Sequence, residues 1–331
     1  MRPERTVSGV LANYQVDEVR AVVPLGGMGG FSGAAFWRIE TPAATWCLRR
    51  WPHEHPSPQR LADIHAVLQH VAGSGFAKLP VPLASRHGSS FISAGGFLWQ
   101  LEPWIPGEAN YRQSPSRRKL VAAMRALAQF HQAAASFERA HGPASGISLR
   151  REQLDNLRAK QAATISAALG RATWLAERGR QILGYFRQQA DGLQQILKAA
   201  ERQPVPLQPC IRDIWHDHVF FVDEEVSGFV DFGALKRDHV AADISRLLGS
   251  LVGDDAELRQ CGLDAYQSVR PLSTDDRWLI EVFARSSTLL AGMNWLKWIC
   301  VDGREFDDRQ RVLGRIYEII ARLTPRGELL R

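Results

Sequence analysis

The sequence has few cysteines, no long apolar run and no strong excess of charge of one sign. Its four cysteines, Cys47, Cys210, Cys261 and Cys300, lie far apart, and none forms the C-x-x-C pair of a redox or zinc motif. This usage predicts free thiols in a cytoplasmic protein. The uncharged stretch 286–296 is too short to cross a bilayer, so the sequence predicts no membrane association.

The balance of acidic and basic residues disfavours one class of partner, nucleic acid, without indicating another. The 331 residues contain 41 Lys and Arg against 35 Asp and Glu, a net charge of +6. Basic residues are interleaved with acidic ones, and the densest clusters are only two or three residues long. Nucleic-acid binding needs a basic patch or stripe, so this pattern disfavours a nucleic-acid partner.

The N-terminal part carries strand and turn signals. A strand at 22–24 leads into the glycine cluster 26–33, and apolar runs at 34–39 and 45–51 predict two further strands. Ser57-Pro58 is a typical helix start, and apolar residues recur at helical spacing to 71. A predicted hairpin over 90–101 follows, and the prolines of 102–107 end it.

The remainder is predominantly helical. The patterns predict helices at 116–137, over much of 151–200, and at least two between 254 and 323. One β-rich segment, 210–233, interrupts them with a predicted hairpin of strands 218–222 and 226–230. We therefore expect an α+β protein with a β-rich domain over 1–104 and a helical domain over 105–331.

That hairpin gathers the most polar segment of the chain. If it turns between Glu224 and Glu225, His218 lies directly opposite Asp231, within reach of a shared cation. Asp213, just upstream, then lies at the same end of the hairpin. Turn capping and ion pairing are the structural alternative for these side chains.

The sequence around this hairpin resembles a known family. Residues 212–221 read RDIWHDHVFF, and Asp231-Phe232-Gly233 follows the hairpin. This arrangement is similar to the catalytic segment of the aminoglycoside phosphotransferase and choline kinase-like family, H-G-D-x-x-x-x-N followed by D-F-G. The resemblance implies a protein-kinase-like bilobal fold, with a small β-rich N-lobe and a larger helical C-lobe. It covers most of the chain.

The resemblance implies roles for three side chains of this segment. Asp213 corresponds to the base that accepts the proton of the acceptor hydroxyl, and Asp231 to the ligand of Mg²⁺. His218 stands where the family has asparagine and is expected to be the second metal ligand. Because imidazole suits Mn²⁺ better than the harder Mg²⁺, Mn²⁺ is a possible alternative cofactor.

The resemblance also implies an ATP site in the N-terminal domain. Gly30, Ser32 and Gly33 are expected to cover the phosphates, and Arg49 replaces the family's phosphate-binding lysine.

Two further features of that domain concern the adenine and the cation. Glu102 and Trp104 resemble the hinge that contacts adenine. The helix after the third strand has Ile64, flanked by Asp63 and His65, where the kinase fold carries a glutamate that pairs with the cation.

The expected function is ATP-dependent phosphorylation of a hydroxyl group on a small molecule. Two alternatives remain open from the sequence. Because Arg49 and His218 depart from the family pattern, the first is a nucleotide-binding pseudokinase with weakened catalysis. The second is a metal-dependent hydrolase built on His216 and His218 with Asp213 and Asp217, since alternate strand residues point to one side.

Overall fold

The computed structural model describes residues 3–26, 33–306 and 308–324, which form two compact units. The first unit contains the described residues up to Glu138, together with Ile211–Lys236 and Gln260–Pro271. The second contains Arg139–Cys210, Arg237–Arg259 and the described residues from Leu272 onward. The expected domain boundary at residue 104 stays a prediction.

Strands dominate the N-terminal part of the chain, and helices dominate the remainder. The strands are β1 (Ala21–Pro24), β2 (Ala35–Glu40), β3 (Thr45–Arg50), β4 (Ile92–Ala94), β5 (Phe97–Pro103), β6 (Ala140–Gly142), β7 (Val205–Cys210), β8 (Val219–Val222), β9 (Glu225–Phe229) and β10 (Lys236–Asp238). The α-helices are α1 (Pro3–Leu11), α2 (Pro58–Gly73), α3 (Arg117–Ala134), α4 (Ser145–Asn156), α5 (Ala162–Ala168), α6 (Ala176–Arg202), α7 (Ala241–Leu251), α8 (Ala256–Gln267), α9 (Thr274–Leu296) and α10 (Arg309–Leu323). Two π-helices occupy Leu157–Gln161 and Lys297–Val301.

An antiparallel sheet with strand order β1-β2-β3-β5-β4 forms the centre of the first unit, and it confirms the predicted N-terminal strands. In the β3–β5 ladder, Arg49 pairs with Gln100 and Cys47 pairs with Glu102. Because side chains two residues apart share a face of a strand, Arg49, Gln100 and Glu102 all point to the same side of the sheet. This register brings a cation, an amide and a carboxyl group together.

Helix α2 begins where the sequence predicts it. The Ser57 hydroxyl accepts a hydrogen bond from the Arg60 N–H at 3.2 Å, and Pro58 occupies the first helical turn. Leu61 and Ile64, two of the apolar residues at helical spacing, are buried, and so is His65, at 1% exposure. A buried imidazole at this position requires polar partners.

The N-terminal helix α1 was not predicted from the sequence. It packs with sheet residues in one apolar cluster and is therefore part of the core of the first unit. The buried members of this cluster are Val7, Val10, Leu11, Tyr14, Ile39, Leu48, Trp99 and Leu101.

Four phenylalanines fix the β8–β9 hairpin within the first unit. Phe76, which follows α2, lies 5.8 Å from Phe130 of α3 and 5.9 Å from Phe229 of β9, measured between ring centroids. Phe130 in turn lies 5.9 Å from Phe232. Aromatic pairs at these separations stabilise by about 0.5–1.5 kcal/mol beyond their burial. The residues next to Phe229 and Phe232 are thereby held in place.

The hairpin forms as predicted, but its predicted register is wrong. Val222 pairs with Glu225, so the turn is centred on Asp223 and Glu224 rather than one position later. A bulge between Phe220 and Phe221 then shifts the ladder. The N–H of Val230 donates to the carbonyl of His218 at 3.0 Å, so His218 does not lie directly opposite Asp231. Asp223 adopts a φ of 54°, which a short acidic residue tolerates in a tight turn.

The segment after β5 is joined to this hairpin by main-chain hydrogen bonds. Glu108 and Phe221 exchange N–H to carbonyl bonds of 3.0 and 2.9 Å. Gly107 has a φ of 89°, and a β-carbon there would lie 2.1 Å from the Phe221 carbonyl oxygen. Only glycine fits this approach, since a side chain at Gly107 would push the hairpin away.

The second unit consists mainly of helices, as predicted, with a small sheet in the order β10-β7-β6. Helix α9 begins with a capping box between Ser273 and Asp276 and packs against α6 and α7. Helix α7 was not predicted, although its buried residues Ile244, Leu247 and Leu248 have helical spacing. Within the described residues, no helix has both the length and the apolar character needed to cross a membrane. All four cysteines are free thiols.

Candidate active site

The loop before β8 is anchored by two fully buried residues, Ile211 and Ile214. Arg212 between them has a φ of 70°, a left-handed conformation that non-glycine residues rarely adopt. Asp213 follows, half-buried, and its carbonyl oxygen accepts a hydrogen bond from Nδ1 of His218 at 2.7 Å. The loop therefore places Asp213 and His218 next to each other.

His218 has a second hydrogen bond on its other ring nitrogen. The indole N–H of Trp215 donates to Nε2 of His218 at 2.9 Å. Nε2 also lies 3.8 Å from Oδ2 of Asp231, which is too long for a hydrogen bond. The predicted proximity of His218 and Asp231 is therefore present despite the different hairpin register.

Asp231 is held in an unusual backbone conformation with a φ of 60°. Its Oδ1 accepts a hydrogen bond from Nη2 of Arg49 at 3.0 Å. Burial raises the pKa of the Asp231 carboxyl, but the positive charge of Arg49, together with hydrogen bonds from Arg49 and from the main-chain N–H of Gly233, holds this pKa below its usual value. Asp231 is therefore a stable anion that can neutralise a cation.

Arg49 is buried, with only 6% exposure, so its charge needs local compensation. Asp231 supplies the counter-charge, and the Trp51 ring lies against the guanidinium, 3.5 Å from its central carbon to the ring centroid. Phe36 lies 5.2 Å away by the same measure. Nε of Arg49 has no hydrogen-bond partner among the described residues. The guanidinium thus keeps unused donor capacity.

Glu102 has its side chain inside the protein. It is 9% exposed, and the amide nitrogen of Gln100 donates to its carboxyl group. Burial raises the pKa of Glu102 to about 7, against the opposing effect of Arg49. The carboxyl group therefore belongs to the polar interior beside Arg49.

Trp104, the other predicted hinge residue, is half-buried and has a cation above its ring. The guanidinium carbon of Arg38 lies 5.3 Å from the Trp104 ring centroid. The main-chain N–H of Trp104 donates to the main-chain carbonyl of Thr45 at 3.1 Å, which ties the end of β5 to the start of β3.

A buried polar network that the sequence did not predict surrounds Gln100. Its Oε1 accepts from the indole N–H of Trp51 at 2.7 Å and lies 3.0 Å from Nε2 of His65. Nδ1 of His65 lies 2.8 Å from the Ser90 hydroxyl. We call Trp51, His65, Ser90, Gln100 and Glu102 the Gln100 network. The available signal was the pair of polar residues at alternate positions in the otherwise apolar strand β5.

Arg49 and most of the Gln100 network line a small cavity that also reaches Asp231 and Phe232. Its volume of about 10 Å³ is close to that of one water site.

The predicted phosphate loop is only partly described. Gly30 and Ser32 lie outside the described residues. Gly33 has a φ of 74°, and a β-carbon on it would be in ordinary contact with Pro52. The left-handed backbone explains a glycine here.

The ligand set expected for the hydrolase alternative is not assembled in the described residues. Nε2 of His216 lies 3.2 Å from Oδ1 of its neighbour Asp217, and His216 is buried. Within the described part of the chain, the segment 213–218 and Asp231 do not bring three ligand atoms within 4.8 Å of one another. A catalytic zinc centre of a hydrolase has three protein ligands, so this ligand set is not assembled.

Comparison with known proteins identifies the relatives of this chain. A family model described as "Phosphotransferase enzyme family" matches residues 26–279. A homoserine kinase of Rhizobium etli is 28% identical over 230 residues, 67% of this chain and 64% of the relative. The match thus spans less than two thirds of that relative's length. A homoserine kinase of Methylobacterium nodulans is 26% identical over 281 residues, 82% of this chain and 78% of the relative.

Solved structures share the fold at low sequence identity. A spectinomycin phosphotransferase superposes with a TM-score of 0.68 at 11% identity, covering 98% of this chain and 95% of that one. An amicoumacin kinase superposes with a TM-score of 0.66 at 15% identity, covering 98% of this chain and 96% of that one. A microcompartment-associated aminopropanol kinase superposes with a TM-score of 0.63 at 14% identity, covering 97% of this chain and 95% of that one. These likenesses confirm the expected kinase-like α+β fold.

The family model covers strands β2 to β5, α2, α3 and the whole segment from Asp213 to Asp231. The resemblance inferred from the sequence is therefore confirmed over the elements that carry it. The chain belongs to the phosphotransferase enzyme family.

Proposed function

We propose that this protein is an ATP-dependent kinase that phosphorylates a hydroxyl group of a small molecule. The observation that carries the proposal is the arrangement at Asp231, with Arg49 on Oδ1 and His218 near Oδ2. Phosphoryl transfer depends mainly on positioning and charge neutralisation. A cation, an anionic metal ligand and a nearby carboxylate base at one site provide these functions.

Asp213 is the proposed base. It lies in the loop that also positions His218, and its main chain is fixed by the hydrogen bond from the His218 ring. A carboxylate in this place orients the acceptor hydroxyl and accepts its proton as the phosphoryl group arrives.

Arg49 is the proposed ligand of the ATP phosphates. Its guanidinium already binds one anion, Asp231, and its Nε lacks a partner among the described residues. A guanidinium can bind phosphate oxygens in a bidentate manner, which the lysine of the family cannot do. Backbone N–H groups of Gly30, Ser32 and Gly33 complete the proposed phosphate site.

The adenine contact is assigned to the end of β5. Because the Glu102 side chain is buried in the Gln100 network, we propose that the 102–104 segment contacts adenine through its main chain and the face of Trp104.

The residues around Asp231 fit a divalent cation. Oδ2 of Asp231 and Nε2 of His218 lie 3.8 Å apart, and the other ring nitrogen of His218 bonds a main-chain carbonyl, as metal-binding histidines usually do. A bound Mg²⁺ or Mn²⁺ would neutralise phosphate charge. Asp231 and His218 are the protein groups proposed to hold it.

The proposed acceptor is a small amino alcohol. The relatives at 24–28% identity are named homoserine kinases, and one structural neighbour is named an aminopropanol kinase. Both names describe compounds with an amino group and a hydroxyl group.

A pseudokinase is the second candidate. In this conformation Asp231 is paired with Arg49, and Nε2 of His218 is hydrogen-bonded to Trp215, so both proposed metal ligands have partners within the chain. Measured phosphoryl transfer distinguishes the active kinase from the pseudokinase, which would bind nucleotide without turnover.

The proposal is tested by phosphoryl transfer from ATP to homoserine, aminopropanol and a panel of sugars and nucleosides. Asp213→Asn should lower kcat by about 10²- to 10⁴-fold, the usual contribution of a positioned base, with ATP affinity retained. The matched control is Asp217→Asn, since Asp217 is an exposed carboxylate in the same loop. Wild-type turnover in Asp213→Asn would refute the base assignment, and nucleotide binding without turnover on any acceptor would favour the pseudokinase.

A further inference from the structure

The hydrogen bonds of His218 determine which of its ring nitrogens carries a proton. Nδ1 lies 2.7 Å from the carbonyl oxygen of Asp213, which can only accept, so Nδ1 must donate. Trp215 Nε1 lies 2.9 Å from Nε2, and an indole nitrogen can only donate, so Nε2 must accept. Together the two bonds fix the neutral tautomer with a lone pair on Nε2. This is the form of imidazole that binds metals.

Trp215 therefore occupies the nitrogen that would bind a cation. Its ring is also in edge-to-face contact with two imidazoles, with centroids 4.7 Å from His216 and 5.4 Å from His218. Oδ2 of Asp231 lies 3.8 Å from the same Nε2. Neutral His218 presents no proton to that oxygen, so a shared cation would satisfy both acceptors.

We infer that Trp215 is a positioning residue that competes with the cation for Nε2 of His218 and thereby sets the affinity and selectivity of the metal site. This inference rests on the proposed function, since it assumes the cation site at Asp231. When no cation is bound, the Trp215 N–H satisfies the lone pair and keeps the ring in the metal-binding tautomer. When a cation binds through Nε2, the Trp215 hydrogen bond must break.

Competition of this kind discriminates between metals. Mg²⁺ prefers oxygen ligands and gains little from imidazole, so it binds at Asp231 while the Trp215–His218 bond remains. Mn²⁺ accepts imidazole more readily and displaces the indole. Trp215 thus lowers the affinity for Mn²⁺ and leaves that for Mg²⁺ nearly unchanged.

The test is a direct titration of Mn²⁺, followed by the EPR signal of the free ion, with the full chain and a non-hydrolysable ATP analogue present. A net hydrogen bond of about 0.5–1.5 kcal/mol corresponds to about a twofold to tenfold change in affinity. Trp215→Phe should therefore bind Mn²⁺ about twofold to tenfold more tightly. Competition with Mg²⁺ should show a smaller change for that ion.

A double-mutant cycle separates this effect from general packing. In a His218→Ala background, Trp215→Phe should not change Mn²⁺ affinity, because the side chain at position 218 then has no lone pair to compete for. Trp278→Phe, an exposed tryptophan in the other compact unit, is the control for loss of an indole. An unchanged Mn²⁺ affinity in Trp215→Phe, or an equal gain in the His218→Ala background, overturns the inference.

A second measurement does not depend on folding of the Trp215 variant. In the wild-type protein, the indole N–H resonance that is lost or moved in His218→Asn reports the Trp215–His218 bond. Zn²⁺, a diamagnetic ion that accepts imidazole, should shift this resonance upfield, and Mg²⁺ should shift it less. A resonance that does not respond to Zn²⁺ overturns the inference. If the wild-type protein binds no divalent ion even with nucleotide present, both the proposed metal site and this inference are refuted.

Discussion

Two polar regions of the first unit each contain a neutral histidine and a tryptophan N–H donor, yet they differ in what they enclose. In the Gln100 network, His65 is 1% exposed and both of its ring nitrogens face protein groups in the interior. In the second region, which we call the His218 cluster (Asp213, Trp215, His218 and Asp231), the imidazole stands beside a partly exposed carboxylate. The first region has the features of a structural network, and the second those of a ligand site.

The partners of each histidine explain the difference. The Trp51 N–H orients the Gln100 amide, so that its oxygen faces His65 and its nitrogen faces Glu102. Every polar atom of the chain Ser90–His65–Gln100 then has a partner. In the His218 cluster, two acceptors lie 3.8 Å apart with no proton between them. Arg49 links the regions, since it pairs with Asp231 and lies opposite Gln100 in the β3–β5 ladder, on the same face of the sheet.

The largest expected effect concerns the charge of Glu102. Its pKa is about 7 in the folded protein against 4.5 as the ordinary value. Between these values the folded state holds a proton that the unfolded chain has lost, so this stabilisation is full below about pH 4.5 and is lost as pH rises through 7. Glu102→Gln should remove this loss and raise the free energy of unfolding above pH 7 by about 3 kcal/mol relative to wild type.

Urea unfolding at several pH values measures this effect. Glu108→Gln, which changes an exposed glutamate in the same unit, is the control. His65 has the opposite dependence, because burial lowers its pKa to about 4 and its contribution is lost as pH falls from 6.5 to 4. Glu102→Gln should therefore expose a steeper loss of stability on acidification. A variant with the wild-type pH profile would show that Glu102 ionises freely in the folded state.

The next effect in size concerns Arg49, the link between the regions. Arg49→Met should weaken ATP binding about tenfold to hundredfold, because hydrogen bonds to charged groups contribute about 1.5–3 kcal/mol. The matched control is Arg50→Met. Arg50 points to the opposite face of β3, where its guanidinium carbon lies 4.6 Å from the Phe97 ring centroid. Isothermal titration with an ATP analogue gives both affinities, and equal losses in the two variants would remove Arg49 from the phosphate site.

The sequence predicted the framework of these regions and missed most of the contacts within them. Strand periodicity and turn residues located the sheet, α2 and the hairpin, and the order of Asp213, His218 and Asp231 predicted their proximity. The hairpin register was wrong because a bulge and a turn position depend on φ values that no local pattern specifies. The predicted proximity of His218 and Asp231 is present despite the wrong register, because both residues flank the same hairpin.

The partners of His65 and His218 lay beyond sequence reasoning for a different reason. The network partners of His65, Ser90 and Gln100, are 25 and 35 residues away in sequence, so only the packing of α2 on the sheet brings them together. The Trp215–His218 bond is local, but it depends on the left-handed backbone at Arg212 that turns the loop. Glu102 was assigned to the hinge by its order in the chain, whereas the strand register determines where its side chain points.

The smallest effect separates the two tryptophans. Trp51→Phe removes the indole N–H that orients Gln100 and keeps an aromatic ring beside Arg49. We therefore expect it to lower the free energy of unfolding by about 1–2 kcal/mol. Its Mn²⁺ affinity should remain within about twofold of wild type, since a Phe ring leaves the Arg49–Asp231 pair in place. Trp215→Phe should show the reverse, with altered Mn²⁺ affinity and a smaller loss of stability. If Trp51→Phe changed Mn²⁺ affinity as much as Trp215→Phe, the Gln100 network would have to be counted as part of the metal site.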